Sequence, residues 1–441
     1  MTQRRLRILC VSPRFPPSSA ADAQRLRLVL PHFPAAAMEA EVLAVDPVCC
    51  PDPHDPWQLQ RLPRTLPVHR VRGLSRRWNR CPGLGSVESR TLPLLAAVGD
   101  RLLKQARREG HPFDLAYFST TAFGSFALGR RWWRRQRLPF VLDYQDAWVN
   151  DFYRSRPELV PPGGRWKHAV VDRMQRRQEP RVLRHAAGVT AVSRAYLDDL
   201  RRRYSFARHL PGLVLPFPGC PDDFIRQDAT CSLPFDPHDG LLHWVSVGRG
   251  GDDLATALHG LFSALSRRAP AELKQRLRLH FIGTSYAPKG RETCTIRPLA
   301  EQYGLGDLVE ECPARLPMGA ALAAMAAADA LLVIGSDDPA YTASKLYPYL
   351  LARRPLLAVL HEQSPACELL QRCGGACLVH FDPRQSPDQL ERVIAEAWLS
   401  NQGYGQVRPL NEQAFVPHTA RAQAAQLRDF FDQCLEQRAV A

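Results

Sequence analysis

A loop that ends in a lysine has the residue types that bind phosphate. Residues 330–334 form a short apolar run, and the polar stretch after it reaches Ser344 and Lys345, where a helix is predicted to begin. The free amide N–H groups of a helix start and a fixed cation attract the same anion. The loop therefore predicts a phosphate site, although its spacing alone equally allows an ordinary strand–helix unit with a surface lysine.

Apolar runs alternate with amphipathic segments along both halves of the chain, which is typical of parallel α/β units. The predicted strands are 7–11, 41–45, 115–118, 140–143, 188–192, 241–247, 277–282, 330–334 and 356–360. The predicted helices include 21–31, 94–108, 320–328 and 417–435. The pattern predicts an α/β protein.

A Pro/Gly-rich stretch, 211–219, separates the two halves, and 441 residues are enough for two domains with separate cores. We predict an N-terminal Rossmann-like domain over 1–220 and a C-terminal one over 221–415. A C-terminal helix in 416–441 is expected to pack back on the N-terminal domain. The polar, Pro-rich stretch 47–82 lacks periodicity and is predicted to be an excursion from the first domain.

The composition is that of a soluble globular protein, with 45% hydrophobic and 23% charged residues. No apolar run approaches the length of a membrane span, and the run 8–11 is too short for a signal peptide. We therefore expect a cytoplasmic location, in which the twelve cysteines would be reduced. Cys367, Cys373 and Cys377 lack a paired fourth ligand, so we expect packed thiols and no metal.

The net charge of +14 comes entirely from the first half of the chain. Residues 1–225 hold 37 Lys and Arg against 20 Asp and Glu, whereas residues 226–441 hold 21 against 24. Several of the basic clusters contain tryptophan, which suits an anionic membrane surface and also suits nucleic acid. A solvated, arginine-rich surface explains any single cluster equally well. The clusters lie at 76–78, 130–135, 165–184 and 201–203.

The order of the motifs resembles the GT-B glycosyltransferases. A first strand with a Pro-rich turn is followed by LPFVLDYQDAW, AGVTAVS, SVGRG, HFIG, ADALLVI and the lysine loop. The retaining group called family 4 carries a K-x-x-E-Y pattern with a later proline at this last position, which reads KLYPY at 345–349 here, with Pro355 beyond. The resemblance covers essentially the whole chain and implies the GT-B architecture, in which two Rossmann-like domains face a cleft.

The resemblance also implies a donor site. Family members stabilise the leaving diphosphate with basic residues and a helix N-terminus, without a metal or a cofactor. Arg249 matches the family's Gly-Arg element and Lys345 its phosphate-contacting lysine, so this pair is expected to be the electrostatic catalysts. Further donor contacts are expected from Gly248, Gly250, Gly251, Gly283, Tyr286, Tyr341 and Ser344. A glycine turn that only reverses the chain, and a tyrosine that only packs, are the alternatives.

On the acceptor side, the resemblance points to Arg14 in the Pro-rich turn and to Arg25 in the following helix. Residues 18–21 read SSAA where the family carries a double glycine. Asp143 and Asp146 follow a predicted strand and are expected to orient an acceptor hydroxyl, with a turn cap as the equal alternative. A second departure concerns the family's paired glutamates near the donor sugar, because the matching positions are Ala340 and Pro348.

The function implied is transfer of a sugar from a nucleotide-sugar donor to a glycan or lipid-linked acceptor in cell-surface polysaccharide or glycolipid synthesis. The basic first domain would then lie peripherally on the inner face of the membrane. One alternative is a relative that binds without transferring, either an epimerase or an inactive protein. Another is a basic nucleic-acid-binding protein, although no nucleic-acid module is visible and nucleic acid is not the expected partner. The common hydrolase signatures H-E-x-x-H and G-x-S-x-G are absent.

Overall fold

The chain forms two compact units. Unit 1 comprises Met1–Pro218 with Ala420–Ala441, and unit 2 comprises Gly219–Thr419. These divisions lie close to the predicted boundaries after residues 220 and 415. The computed structural model describes residues 4–50, 52–74, 77–78, 85–155, 164–225, 232–285, 287, 290–339, 346–400 and 402–440.

Unit 1 contains a seven-stranded parallel sheet in the order β3-β2-β1-β4-β5-β6-β7. Its inner strands β4 and β5 are buried at every position, because helices cover both faces of such a sheet. The strand order reverses between β1 and β4, as in doubly wound folds. The strands are β1 (Leu6–Val11), β2 (Met38–Val45), β3 (Val68–Val71), β4 (Leu115–Ser119), β5 (Phe140–Tyr144), β6 (Gly188–Ala191) and β7 (Gly212–Val214).

The helices of unit 1 include one from the far end of the chain. They are α1 (Gln24–Val29), α2 (Val87–Arg108), α3 (Ala127–Gln136), α4 (Phe152–Ser155), α5 (Arg165–Leu183), α6 (Arg194–Arg203) and α16 (Ala420–Val440). Among the described residues, no helix combines the length and the apolar character needed to cross a bilayer.

The last helix, α16, packs directly on the sheet of unit 1. Phe431 and Cys434 are fully buried, and the Phe431 ring meets the Tyr117 ring of β4 edge-on at 5.2 Å. A Cβ atom on Gly188 of β6 would stand only 2.4 Å from the Cys434 sulfur, so glycine is needed for this close approach. Arg428 adds hydrogen bonds to backbone carbonyls near the start of β1 and β2. The chain terminus therefore completes the core of unit 1.

Unit 2 repeats the same topology with six parallel strands, in the order β10-β9-β8-β11-β12-β13. Its reversal lies between β8 and β11. The strands are β8 (Leu242–Val247), β9 (Leu277–Ile282), β10 (Val309–Cys312), β11 (Ala330–Ile334), β12 (Leu356–His361) and β13 (Cys377–Phe381). The predicted α/β fold with two Rossmann-like domains is confirmed.

The helices of unit 2 precede, connect or follow these strands along the chain. They are α7 (Asp222–Ile225), α8 (Ala255–Arg268), α9 (Ala271–Arg276), α10 (Arg297–Gln302), α11 (Met318–Ala327), α12 (Leu346–Leu351), α13 (Pro365–Cys373), α14 (Pro387–Ile394) and α15 (Glu412–Phe415). The cysteines of 367–377 are buried, and the thiols of Cys367 and Cys377 donate to the backbone carbonyls of His361 and Ala397. Among the described residues, no cluster of three or more candidate ligands could hold a metal.

The sequence pattern misses the edge strands of both sheets. β3 lies within 47–82, where we expect an excursion without regular structure, and β7 lies within 211–219, where we expect an interdomain passage. Both expectations are wrong at these positions, and β10 and β13 are likewise not predicted. An edge strand pairs on one side only and is partly exposed, so it lacks the continuous apolar run of an inner strand.

Two histidines form a buried polar pair on the sheet of unit 2. His243 and His280 are 2% and 3% exposed, and Nδ1 of His243 lies 2.9 Å from Nε2 of His280. The outer nitrogens face carboxylates, with Nε2 of His243 3.0 Å from Asp239 and Nδ1 of His280 3.3 Å from Glu310. The ring of Phe235 stacks on both imidazoles. The rings are therefore held in a nonpolar layer between two surface carboxylates.

This pair should make the stability of unit 2 sensitive to acid. Burial, together with His243 and Arg278, lowers the pKa of His280 to about 4, against the opposing effect of Asp239. In the unfolded chain the pKa of His280 is about 6.5. Between about pH 6.5 and pH 4 the imidazole is therefore protonated in the unfolded state and neutral in the folded state. We expect the free energy of unfolding to fall by about 3 kcal/mol between pH 6.5 and pH 4.

The measurement is urea unfolding at several pH values in this range. His280→Gln should flatten the decline, whereas His380→Gln, at an exposed position of β13, should leave it unchanged. An identical decline in wild type and His280→Gln would show that another group is responsible.

Candidate functional site

The reversal point of the second sheet defines one candidate site. Neighbouring strands β8 and β11 run parallel, with Val245 opposite Leu331. The chain leaves them toward opposite edges, which opens a crevice at their carboxyl ends. The turn 248–251 follows β8 and the turn 335–338 follows β11. Two turns from distant parts of the sequence are thus neighbours.

The glycines of the first turn are needed for close backbone contacts. The N–H groups of Gly248 and Gly250 donate to the carbonyls of Ile282 and Thr284, at 3.0 and 2.7 Å. A Cβ atom on Gly250 would lie 2.5 Å from the Thr295 hydroxyl oxygen. Gly251 has a φ of 137°, which side chains disfavour. The turn is therefore packed against the loop after β9, and its glycines serve this packing whatever else they contact.

Arg249 is held by a carboxylate that the sequence analysis did not single out. Its two terminal nitrogens each lie 2.6 Å from an oxygen of Asp253, in a bidentate ion pair. The hydrogen bonds from Arg249, opposed by partial burial, lower the pKa of Asp253 below its ordinary value. The Arg249 side chain is 24% exposed, so the guanidinium lies at the surface of unit 2 with its plane fixed by Asp253. In the sequence, the four-residue spacing of Arg249 and Asp253 at the start of a helix could have indicated this ion pair.

The second turn is joined to this ion pair. The Ser336 hydroxyl, which is 1% exposed, donates to the Asp253 carboxylate, and the backbone N–H of Asp337 donates to the Asp253 carbonyl at 2.7 Å. A Cβ atom on Gly335 would lie 2.7 Å from the carbonyl oxygen of Val359 on β12. Arg249, Asp253 and Ser336 therefore form one network across the reversal point.

Asp337 adds a second carboxylate beside this network. Its Oδ1 atom is buried without a hydrogen-bond partner. Burial raises the pKa of this carboxyl group above its ordinary value, and the nearby Asp253 acts in the same direction. A carboxyl group whose pKa is raised by burial is a common feature of functional sites.

The remaining predicted donor contacts are only partly described. Gly283 follows β9 with a φ of 74°, and its N–H donates to the Cys312 carbonyl at 2.7 Å. Pro348 lies inside α12, whose Tyr349 hydroxyl is hydrogen-bonded to the backbone of Val247 at the end of β8. Ala340, Tyr341, Ser344, Lys345 and Tyr286 lie outside the described residues, so their roles stay predictions.

In unit 1, Arg25 and Asp143 form an ion pair in the interior. Both side chains are 0% exposed, and Nε of Arg25 donates to Oδ2 of Asp143 at 2.8 Å. Asp143 also accepts from Ser119, Thr190 and Gln145, at 2.8 to 2.9 Å. As placed, neither charged group can touch an acceptor, because every side of the carboxylate is covered. Both can act only by holding other parts of unit 1.

The rest of the Arg25 guanidinium joins the end of the first sheet to α16. It donates to the backbone carbonyls of Leu215 and Pro216, and it lies 3.3 Å from the Gln423 side-chain oxygen. Gln423 in turn donates to the Pro216 carbonyl at 2.8 Å. Arg25 therefore joins three parts of unit 1, namely Asp143 of β5, the segment after β7 and the last helix α16.

Arg14 and a missed residue, Asp22, lie at the reversal point of the first sheet. Oδ2 of Asp22 accepts hydrogen bonds from the Thr120 hydroxyl and from the N–H and hydroxyl of Thr121, just beyond β4. Its Oδ1 and the fully buried Ser12 hydroxyl after β1 have no hydrogen-bond partner. The sequence could have indicated Asp22, because it is an acidic residue in the first turn of a helix.

The charge of Arg14 is stabilised by several carboxylates. Burial lowers its pKa, but Asp22, Asp52 and Glu88 outweigh this effect and raise the pKa above its ordinary value. Asp146, the other predicted acceptor-side residue, is exposed, and it accepts from the N–H of Ala147 at 2.7 Å in its own turn. This contact is the one expected if Asp146 only caps a turn. The acceptor roles of Arg14 and Asp146 stay predictions.

Two doubly wound parallel sheets with the same strand order and a cationic glycine turn at the second reversal point are features of the GT-B class. Residues 25–216 match a family model described as a glycosyl transferase 4-like domain. This part of unit 1 is therefore similar to that family, and the predicted resemblance to GT-B glycosyltransferases of family 4 is confirmed.

Solved structures show the same fold over nearly the whole chain. Alr3699/HepE from Anabaena, in complex with UDP and glucose, is 16% identical, with a TM-score of 0.55 and coverage of 99% of this chain and 100% of that one. Sucrose-phosphate synthase from Thermosynechococcus elongatus is 14% identical, with a TM-score of 0.58 and the same coverage. A glycosyltransferase from Rickettsia africae is 12% identical, with a TM-score of 0.58, covering 98% and 100%. No curated protein matches significantly in sequence.

The contact between Gly335 and β12 gives a stability test of the site. Gly335→Ala would place a Cβ atom against backbone atoms of Val359 and Leu360, which cannot rotate away. We expect a loss of about 1–3 kcal/mol in the free energy of unfolding, measured by urea denaturation. Gly405→Ala, where nothing lies within 4 Å, is the matched control and should change stability by less than about 1 kcal/mol. Equal stability of the two variants would contradict the described packing.

Proposed function

We propose that the protein is a glycosyltransferase that moves a sugar from a nucleotide-sugar donor to a glycan or lipid-linked acceptor in cell-surface polysaccharide or glycolipid synthesis. One observation carries the proposal. The Arg249 guanidinium, set in a glycine turn, lies where the strand order of the second sheet reverses. Open parallel sheets bind their ligands at this position.

Arg249 would act by electrostatic stabilisation of the leaving group. Cleavage of the bond between sugar and diphosphate leaves negative charge on a phosphate oxygen, and a guanidinium can hold that charge through two parallel hydrogen bonds. The bidentate contact with Asp253 fixes the guanidinium plane before a donor arrives, which lowers the cost of ordering it. The neighbouring Gly248 and Gly250 leave room for the backbone to approach a phosphate. Lys345 would supply the second cation.

The resemblance further leads us to propose transfer with retention of configuration, without a metal or a cofactor. Two cations and a helix start would take over the charge that a metal carries in other enzymes. UDP-sugars are the first donors to test, since the Anabaena protein was solved with UDP and with UDP-glucose, and the Burkholderia xenovorans trehalose-phosphate synthase is described as UDP-forming. A chelator in the assay should leave the rate unchanged.

The charge distribution supports a location at the inner face of the cytoplasmic membrane. The first 225 residues carry 37 basic against 20 acidic side chains, and almost all of them belong to unit 1. Anionic lipids attract such an excess within a Debye length. A lipid-linked acceptor would then be reached from the surface on which it resides.

A protein that binds the donor without transferring it is the second candidate. The positions matching the family's paired glutamates are Ala340 and Pro348. The absence of these two carboxylates would weaken transfer more than binding. Asp337, whose backbone N–H donates to the Asp253 carbonyl, is our candidate to replace the missing pair.

Donor binding is tested by thermal shift with UDP-, GDP-, ADP- and CMP-sugars. A ligand present at about 100 times its dissociation constant should stabilise the protein by roughly 2.7 kcal/mol. Arg249→Gln and Lys345→Ala should abolish the shift produced by the best donor. Arg267→Gln, which removes a surface cation paired with Asp388 and Glu391 on the same unit, should retain it.

Transfer is measured with the stabilising donor, radiolabelled in its sugar, by incorporation into a lipid extract of membranes. We expect Arg249→Gln to lower the rate on the order of 10²–10³-fold. Stabilisation without incorporation would favour the binding protein. Absence of stabilisation by every nucleotide sugar would exclude both candidates.

A further inference from the structure

The helix α5 of unit 1 presents large apolar side chains to solvent. Trp166 is 81% exposed, Met174 54% and Val170 42%. Their i, i+4, i+8 spacing places them in one row along the helix. The described residues contain twelve exposed large apolar side chains, and four of them, including Val171, lie on this helix. Single exposed apolar residues are ordinary, but a row of this size on one surface marks an interaction site.

Basic side chains border the same row. Arg173, Arg177 and Arg181 recur every four residues and are all exposed, as is Lys167 on the other side of the row. The helical repeat puts these four cations within about half a turn of the apolar row. We call Trp166, Val170, Met174 and these four cations the α5 face.

No acidic residue of α5 belongs to this face. Asp172 lies on another side of the helix and pairs with Arg176 at 2.8 Å. Glu179 is fully buried and accepts from Arg203 and from the Tyr144 and Tyr204 hydroxyl groups. The positive charge of the α5 face is therefore not compensated from within the helix.

The inner side of α5 anchors the face to a rigid support. Val182 and Leu183 belong to the core of unit 1, and Glu179 ties the helix to β5 through Tyr144 and to α6 through Arg203. An ordinary surface helix buries its apolar residues and exposes its polar ones. Here apolar residues occupy both sides, and the outer set is surrounded by cations.

We propose that the α5 face docks unit 1 onto an anionic lipid bilayer. A tryptophan with aliphatic neighbours can enter the headgroup boundary, while arginines and a lysine around it meet lipid phosphates. This combination of apolar row and uncompensated positive charge complements a negatively charged membrane, whereas a protein groove would not require four cations. The inference rests on the proposed membrane location, but it needs neither donor nor transfer.

Vesicle binding of the full chain tests the proposal. Vesicles of phosphatidylcholine with roughly 30% phosphatidylglycerol should sediment the protein, and pure phosphatidylcholine vesicles should bind it far less. The triple variant Arg173→Gln/Arg177→Gln/Arg181→Gln should weaken binding on the order of 100-fold, at about fivefold for each cation. Trp166→Ser/Met174→Ser should weaken it by at least about tenfold, because both apolar groups leave the headgroup boundary.

A charge-matched control separates docking from general attraction. Arg101→Gln/Lys104→Gln/Arg108→Gln removes three exposed cations from α2 and should weaken binding by less than about fivefold. Equal losses in the two triple variants would overturn the proposal, as would wild-type binding to RNA without binding to anionic vesicles. If donors stabilise the protein but it does not bind anionic vesicles, this inference alone is overturned. If the protein binds the vesicles but no donor stabilises it, the result counts only against the proposed function.

Discussion

Parallel strand pairing is the constraint from which the organisation of both units follows. Parallel neighbours need a crossover connection, and these crossovers are nearly always right-handed. The carboxyl ends of the strands therefore share one edge, and the strand order has one reversal point in each sheet. Arg14, Asp22 and Thr120 meet at the first reversal point, and Arg249, Asp253 and Ser336 at the second. Each set comes from chain segments that are far apart in sequence.

Two of the arginine–aspartate pairs, Arg25–Asp143 and Arg249–Asp253, differ in their burial and therefore in their role. Arg25 and Asp143 are fully buried, and burying two charges is tolerable only when nearly all their hydrogen-bonding groups find partners. Here serine, threonine, glutamine and backbone carbonyls supply them. Removing one partner would leave a buried charge, typically at a cost of about 3–5 kcal/mol. The pair Arg249–Asp253 is partly exposed, contributes little stability and leaves its guanidinium at the surface of unit 2.

The helix α5 has apolar side chains both on its buried side and on its exposed side. The helix α5 buries Val182 and Leu183 and at the same time exposes Trp166 and Met174. Folding alone gives no reason for the second set, because exposed apolar area adds nothing to the stability of the unit. The excess positive charge of the first half of the chain is concentrated in part on the same helix. Together these features relate the charge asymmetry to a defined surface.

The sequence by itself determined the fold class and the inner part of both sheets. All nine predicted strands are inner strands, since burial on both faces requires a continuous apolar run that a single segment displays. The four edge strands β3, β7, β10 and β13 were decided by pairing with a neighbour, which no local pattern contains. Likewise, residue types and motif order singled out Arg249 and Asp143 at strand ends and Arg25 in the helix after the Pro-rich turn. The pairing of Arg249 with Asp253, four residues further on, was within reach of the sequence pattern. Only the tertiary structure decided that Arg25 and Asp143 pair in the interior, because 118 residues separate them in the sequence.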